Sequence, residues 1–286
     1  MTKKTKLALL MLLPAILHAQ DPDNAAAVER PVLSAYTLEA GTAHITETYL
    51  SPLHHSGTAY ALSYERMQAM KFDPERWVMR LDGRLSLAGT YNQPAHNARL
   101  WNLGMRVGWS MLRRFSLPQG WSIFAGGSTD INAGVIYLPR NSNNPVSLKA
   151  SWTVNAAAGA AWNHTFGKLP VCLRYLAEMP LTGAFFSPQY GELYYEIYLG
   201  NHSGLARCAW PGNYFRLDNL LTADFRLGRT IIRAGYRCGI LSTKASHLVT
   251  RRIEHTFVIG VASEWISLSA KRTGISRDCK IISALY

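Results

Sequence analysis

The sequence predicts an all-β protein, a closed antiparallel transmembrane β-barrel of about ten strands with twelve as the alternative count. Three observations lead there. Apolar and polar residues alternate with a period of two through segments of more than about ten residues. The chain is 48% apolar and 17% charged with a mean hydropathy of -0.04, the near-zero average that two opposed faces produce when they cancel. It also opens on a segment that reads as an export signal. With 22 Gly, 14 Tyr and 8 Trp in 286 residues and no heptads, collagen-like, coiled-coil and disordered classes are excluded.

Lys3, Lys4 and Lys6 precede the apolar run Leu7 to Ile16, and Leu17-His18-Ala19 ends on a small residue. A run this short falls well below the ~20 residues a membrane helix needs. Residues 1–19 are therefore expected to be a cleaved signal peptide, and losing its three lysines lowers the net charge from +12 to +9. Residues 20–40 read as an N-terminal periplasmic segment and 41–268 as the barrel.

Within the barrel, Trp77, Met79, Leu81, Leu85, Leu87 and Tyr91 share one face, while Val78, Arg80, Asp82, Arg84, Ser86 and Thr90 share the other. The segment from Trp101 repeats this with Leu103, Met105, Val107 and Trp109 against Asn102, Arg106 and Ser110. A third segment sets Leu148, Trp152, Val154 and Trp162 against Ser147, Lys149, Thr153 and Asn155. Soluble strands are usually about half as long. Trp152 and Trp162 lie ten residues apart on one face, roughly 25 Å along a tilted strand, which matches an outer-membrane apolar band. Trp77, Tyr91, Trp101, Trp109, Trp152 and Trp162 are accordingly the expected aromatic girdle, where an apolar ring meets a wet N–H or O–H.

Strands are expected at 42–50, 57–70, 77–91, 99–113, 121–138, 146–163, 168–178, 216–227, 230–241 and 252–266. Longer loops (51–57, 92–98, 140–145, 242–252) alternate with tight turns (72–76, 115–120, 163–168, 228–229), the asymmetry of bacterial outer-membrane barrels. Residues 180–216 form a long aromatic extracellular loop. Its strand-like piece Leu193 to Leu199 opens the twelve-strand alternative. Residues 269–286 are a C-terminal tail or closing strand. Cys172, Cys208, Cys238 and Cys279 permit disulfides in an exported chain without defining a stapled scaffold.

The stretches Tyr49 to Gly57, Tyr64 to Gln68, Gly183 to Ile197 and Leu199-Gly200-Asn201 resemble an uncharacterised Bacteroidetes family of outer-membrane β-barrel proteins, domain of unknown function 3316. The resemblance runs from about residue 40 to Trp265 and leaves out 269–286. It implies an outer-membrane location and carries no activity or catalytic residue.

On the polar faces, Arg80, Arg84, Arg106, Lys149, Arg174, Arg226, Arg233 and Arg237 stand against Glu65, Asp82, Asp130, Glu178, Asp218, Asp224 and Glu254. Near balance in a narrow lumen predicts mutual pairing, because unpaired ions there are costly to desolvate; a charge-selective pore would show one sign. This points to a narrow or capped, porin-like barrel with a transport, structural or loop-binding role. Tyr190, Tyr194, Tyr195 and Trp210 are the candidate loop contacts for an extracellular glycan or protein. Outer-membrane lipid and small solutes are the other expected partners.

The alternative is a lipid-modifying hydrolase with His55, Ser56, His202 and Ser203 at the rim. Neighbours in sequence lack the geometry of a nucleophile and its base, and no G-x-S-x-G elbow is present. An enzyme is therefore the less favoured class. No metal site or cofactor fingerprint is read, and scattered basic doublets argue against nucleic acid.

Overall fold

A computed structural model describes residues 28–142, 144–200, 204–228, 230–266 and 280–286. The expected signal peptide, His202, Ser203 and Cys279 lie outside the described residues. In chain order the elements are β1 (Val28–Glu29), β2 (Val32–Glu47), β3 (Ser51–Ala69), β4 (Trp77–Asn92), β5 (Arg99–Ser116), a single 3₁₀ turn at Pro118–Gly120, β6 (Trp121–Tyr137), β7 (Val146–Phe166) and β8 (Leu169–Phe186). There follow α1 (Tyr194–Tyr198), β9 (Ala206–Ala209), β10 (Tyr214–Leu227), β11 (Thr230–Ala245), β12 (Leu248–Trp265) and β13 (Lys280–Ile281).

Ten strands, β2 to β8 and β10 to β12, pair antiparallel in one ring. β10 pairs with β8, and β12 closes on β2 from Thr250↔Glu47 to Trp265↔Val32. Closure leaves the ring itself without a free edge, as a lipid-facing sheet requires. β9 adds four residues to the edge of β8 above the ring. The first described residues, the C-terminal residues and the turns after β3, β5, β7 and β10 share one end, the terminal end; the turns after β2, β4, β6, β8 and β11 share the other, the loop end.

Strand count and fold class are as the alternation predicts, but several boundaries move. β2 starts at Val32, ten residues before the expected 42, so 32–40 belongs to the wall and not to a periplasmic segment. The expected loops at 51–57 and 242–252 are continuations of strands. Their turns are only Thr48 to Leu50 and Ser246-His247, the latter with φ of 47° and 64°, as a two-residue hairpin needs. β8 runs on to Phe186 rather than stopping at 178, passing Pro180 at a register shift opposite Val154 and Asn155. Leu193 to Leu199 supplies a short helix rather than a strand, so the twelve-strand alternative falls.

Side chains sort by parity. Leu38, Leu62, Leu85, Leu103, Ile131, Phe257 and Ile259 stand exposed around the outer wall. An apolar exterior this extensive is covered by lipid in a membrane barrel. The interior is layered. At the terminal end Leu33, Met67, Val78, Leu112, Phe124, Cys172, Leu176 and Ile231 form an apolar cluster that includes Ala284 and Leu285 of the tail. At the loop end Ala43, Ile45, Leu50, Leu100, Ile136 and Leu138 form a second. Charged side chains fill the space between.

The described part of the tail is neither a wall strand nor free. β13 pairs parallel with β1, and Ile282 N–H donates to Glu29 O at 2.9 Å. Ser283 to Tyr286 then enter the terminal mouth. There Arg114 Nη1 donates to Ser283 O (2.7 Å) and Asn163 Nδ2 to Leu285 O (2.6 Å), while the Arg226 guanidinium lies 4.2 Å from the centre of the Tyr286 ring.

Candidate functional site

Alternation on a strand carries residues i, i+2 and i+4 to one side, so Arg80, Asp82 and Arg84 of β4 all point inward. Each meets opposite charges from other strands. Glu65 on β3 accepts from Arg80 Nε (2.6 Å), Arg174 Nη2 (2.6 Å) and Arg233 Nη1 (2.5 Å). Arg233 also grips Asp224 with two parallel bonds of 2.7 and 2.8 Å, the fork geometry that suits guanidinium and carboxylate. Glu178 takes Arg80 and Arg106, and Asp218 takes Arg106 (2.5 Å) and Arg237 (2.9 Å). Asp130 holds Arg216 and accepts from Thr153 and Asn155. Lys149 reaches Glu47 at 2.8 Å, and Arg226 reaches Glu264 at 2.6 Å near the terminal end.

Every expected lumen residue thus faces inward and has a counter-ion. The sequence reading missed Glu39, Glu47, Arg216, Arg252 and Glu264. With them the ion-paired interior holds ten cations and ten carboxylates among the described residues. Glu39 is among the most connected: Arg84, Arg237, Ser63 and Thr256 all donate to it. Its signal was legible, since Thr37 and Glu39 alternate with Tyr36 and Leu38, but that alternation lies in the segment read as periplasmic.

The girdle residues Trp77, Tyr91, Trp101, Trp109, Trp152 and Trp162 all lie on the outward parity. Trp152 satisfies its N–H within the wall, donating to Thr129 Oγ1 at 3.0 Å, so a headgroup is not needed there. The Arg99 guanidinium lies 3.8 Å from the centre of the Trp101 ring, and Trp121 stacks on Trp162 at 5.9 Å.

The hydrolase alternative finds no support. His55 is fully buried on the inner face, with Nδ1 3.0 Å from Leu53 O. Ser56 has the opposite parity, and its Oγ accepts from Gln93 Nε2 at 2.8 Å. A nucleophile and its base cannot sit on opposite sides of a wall.

Of the loop aromatics, Tyr190, Tyr195 and Trp210 are exposed. Tyr194 instead packs against Tyr49 and Phe186, and its hydroxyl accepts from Leu148 N–H at 2.7 Å. Burial pushes its phenol up to about 12. Tyr49 ties the loops together, donating to Glu192 O (2.7 Å) and accepting from Asn144 Nδ2 (2.5 Å). Beneath these contacts lies a cavity of about 130 Å³ between the wall, the ionic layer and Ser187-Pro188.

Three solved barrels align with most of the chain. They are Neisserial surface protein A (10% identity, 82% of this chain, 97% of that one, TM-score 0.33) and the translocator domain of the autotransporter NalP from Neisseria meningitidis (11%, 85%, 90%, 0.41). An outer membrane channel from Pseudomonas putida F1 is the third (8%, 86%, 100%, 0.34). At such identities and scores no role passes from them to this chain. No curated protein matches the sequence. A family match spans residues 5–272, a range that takes in all ten wall strands, and the chain therefore belongs to the family described as Protein of unknown function (DUF3316).

Proposed function

We propose that this protein is an outer-membrane β-barrel with a sealed lumen that works from its loop end, as a binding or structural protein and not as a conduit. The apolar exterior and closed ring support the membrane location; an export signal over residues 1–19 and a Bacteroidetes origin fit the same reading. The observation that carries it is the filled interior: ten cations and ten carboxylates knit across the middle of the barrel, with the C-terminal residues packed beneath them. Opening a path would break several buried pairs together, each costly once one partner is lost. Balanced charge also lacks the single-sign lining that selects ions. The exposed Tyr190, Tyr195 and Trp210 offer ring surfaces at the loop end to a glycan or protein partner.

Reconstitution of the folded full-length chain into planar bilayers tests this. Folding is checked by heat-modifiable migration on gels. The folded protein is expected to give no stable single-channel steps; reproducible conductance would overturn the sealed reading.

A further inference from the structure

The loop-end cavity is asymmetric in charge although the interior as a whole is balanced. Its lining holds six cations, Arg84, Arg106, Lys149, Arg216, Arg237 and Arg252, against three carboxylates, Glu47, Asp218 and Glu254. Two of the three carboxylates, Glu47 and Glu254, are less exposed than the cations they pair with. Lys149 is 32% exposed while its partner Glu47 is 1% exposed, and Arg252 is 27% exposed while Glu254 is 6%. A molecule entering from the loop end therefore meets ammonium and guanidinium N–H groups first.

Those two cations are near neighbours. Lys149 Nζ lies 3.0 Å from Thr250 Oγ1, and Thr250 precedes Arg252 by two residues on the same inner face, a step of about 7 Å. Asn102 lines the same space, is almost wholly buried, and its Nδ2 has no hydrogen-bond partner. A buried amide N–H calls for an acceptor. The facing walls are apolar: Phe185 and Tyr214, with rings 5.2 Å apart, together with Leu241 and Leu248. The cavity of about 130 Å³ is close in size to the ~150 Å³ space that accepts benzene in an engineered protein interior.

We propose that this cavity binds a small amphipathic carboxylate, a monocarboxylic acid whose apolar body is about the size of a benzene ring. The carboxylate lies between Lys149 and Arg252, Asn102 supplies a further donor, and the body rests against Phe185 and Tyr214. The inference builds on the sealed barrel, since a cavity closed below holds its ligand instead of passing it on.

Benzoate is the probe, with benzylamine and benzyl alcohol as size-matched comparators, titrated calorimetrically against the full chain folded in detergent micelles. Benzoate is expected to bind saturably, benzyl alcohol at least about tenfold more weakly, and benzylamine not at all, because charge-assisted hydrogen bonds supply the difference. Lys149→Met and Arg252→Met are each expected to weaken benzoate about tenfold while keeping heat-modifiable migration. Absence of benzoate binding to the wild type, equal binding of benzylamine, or folded variants that bind like the wild type would each overturn the site. If a variant fails to fold, the comparison of benzoate with benzylamine on the wild type decides alone. A barrel that is electrically silent and ignores benzoate defeats only this inference, whereas one that conducts defeats the sealed reading beneath it.

Discussion

Glu65 shows how single residues hold this interior together. Its carboxylate is buried among Arg80, Arg174 and Arg233, and among the ion pairs Arg174 has Glu65 as its counter-ion. The Glu65→Gln change keeps the shape and removes the charge, leaving Arg174 with neutral contacts at Thr222 and Met67. Removing one partner from a buried pair costs about 3–5 kcal/mol, mostly the desolvation of the charge left behind. Urea unfolding of the reconstituted barrel is expected to show a loss of that size. The pair between Glu75 and Lys280 makes the contrast, since both side chains are more than half exposed. Water screens such a pair, so Glu75→Gln should leave the unfolding midpoint unchanged. A similar midpoint for the two variants would mean that the network is solvated and contributes little.

At the scale of the strand, the seam between β2 and β12 is where a barrel made from one linear chain must find its own beginning. Two glycines allow the close approach there: a Cβ on Gly41 would lie 1.9 Å from His255 O, and one on Gly260 would lie 2.1 Å from Tyr36 O. These distances are incompatible with any side chain unless the ladder shifts. Gly41→Val or Gly260→Val is expected to destabilise closure by about 1–3 kcal/mol, in line with overpacked sites. Refolding into detergent should then give a smaller fraction of the heat-modifiable species, whereas an undiminished fraction would show that the seam tolerates bulk. The same strand explains what the sequence could and could not disclose. Alternation is legible only where the two faces differ, as in β4, with Trp77 to Tyr91 outside and Arg80 to Arg84 inside. At the start of β2, Leu33 and Ala35 face an apolar interior while Val32 and Ser34 on the other parity are buried too, so the contrast fades and residues 32–40 look unlike wall. The Leu193 to Leu199 piece errs the other way: its tyrosines and isoleucine favour strands, but among the described residues no strand pairs with it and Tyr194–Tyr198 form a short helix.

For the molecule as a whole, the proposed seal has two layers, ion pairs in the middle and the tail at the terminal end, and the two can be separated experimentally. Nothing local marks residues 280–286 as an insert, because their partners Arg114, Asn163 and Arg226 are distant in sequence. Cys172 reports on them: it is fully buried in the cluster that Ala284 and Leu285 complete, while Cys208 is exposed on β9. In a Cys279→Ser background, a maleimide should label Cys208 quickly and leave Cys172 unreacted in the folded barrel. Deleting residues 280–286 uncovers that apolar cluster, and Cys172 labelling is then expected to rise towards the rate of Cys208. Conductance should still be absent, because the pairs around Glu65 and Asp218 stand between the uncovered mouth and the loop-end cavity. Ion passage in the truncated chain would make the tail the only seal and the charged layer permeable. Protection of Cys172 without the tail would show that the wall residues close the mouth by themselves.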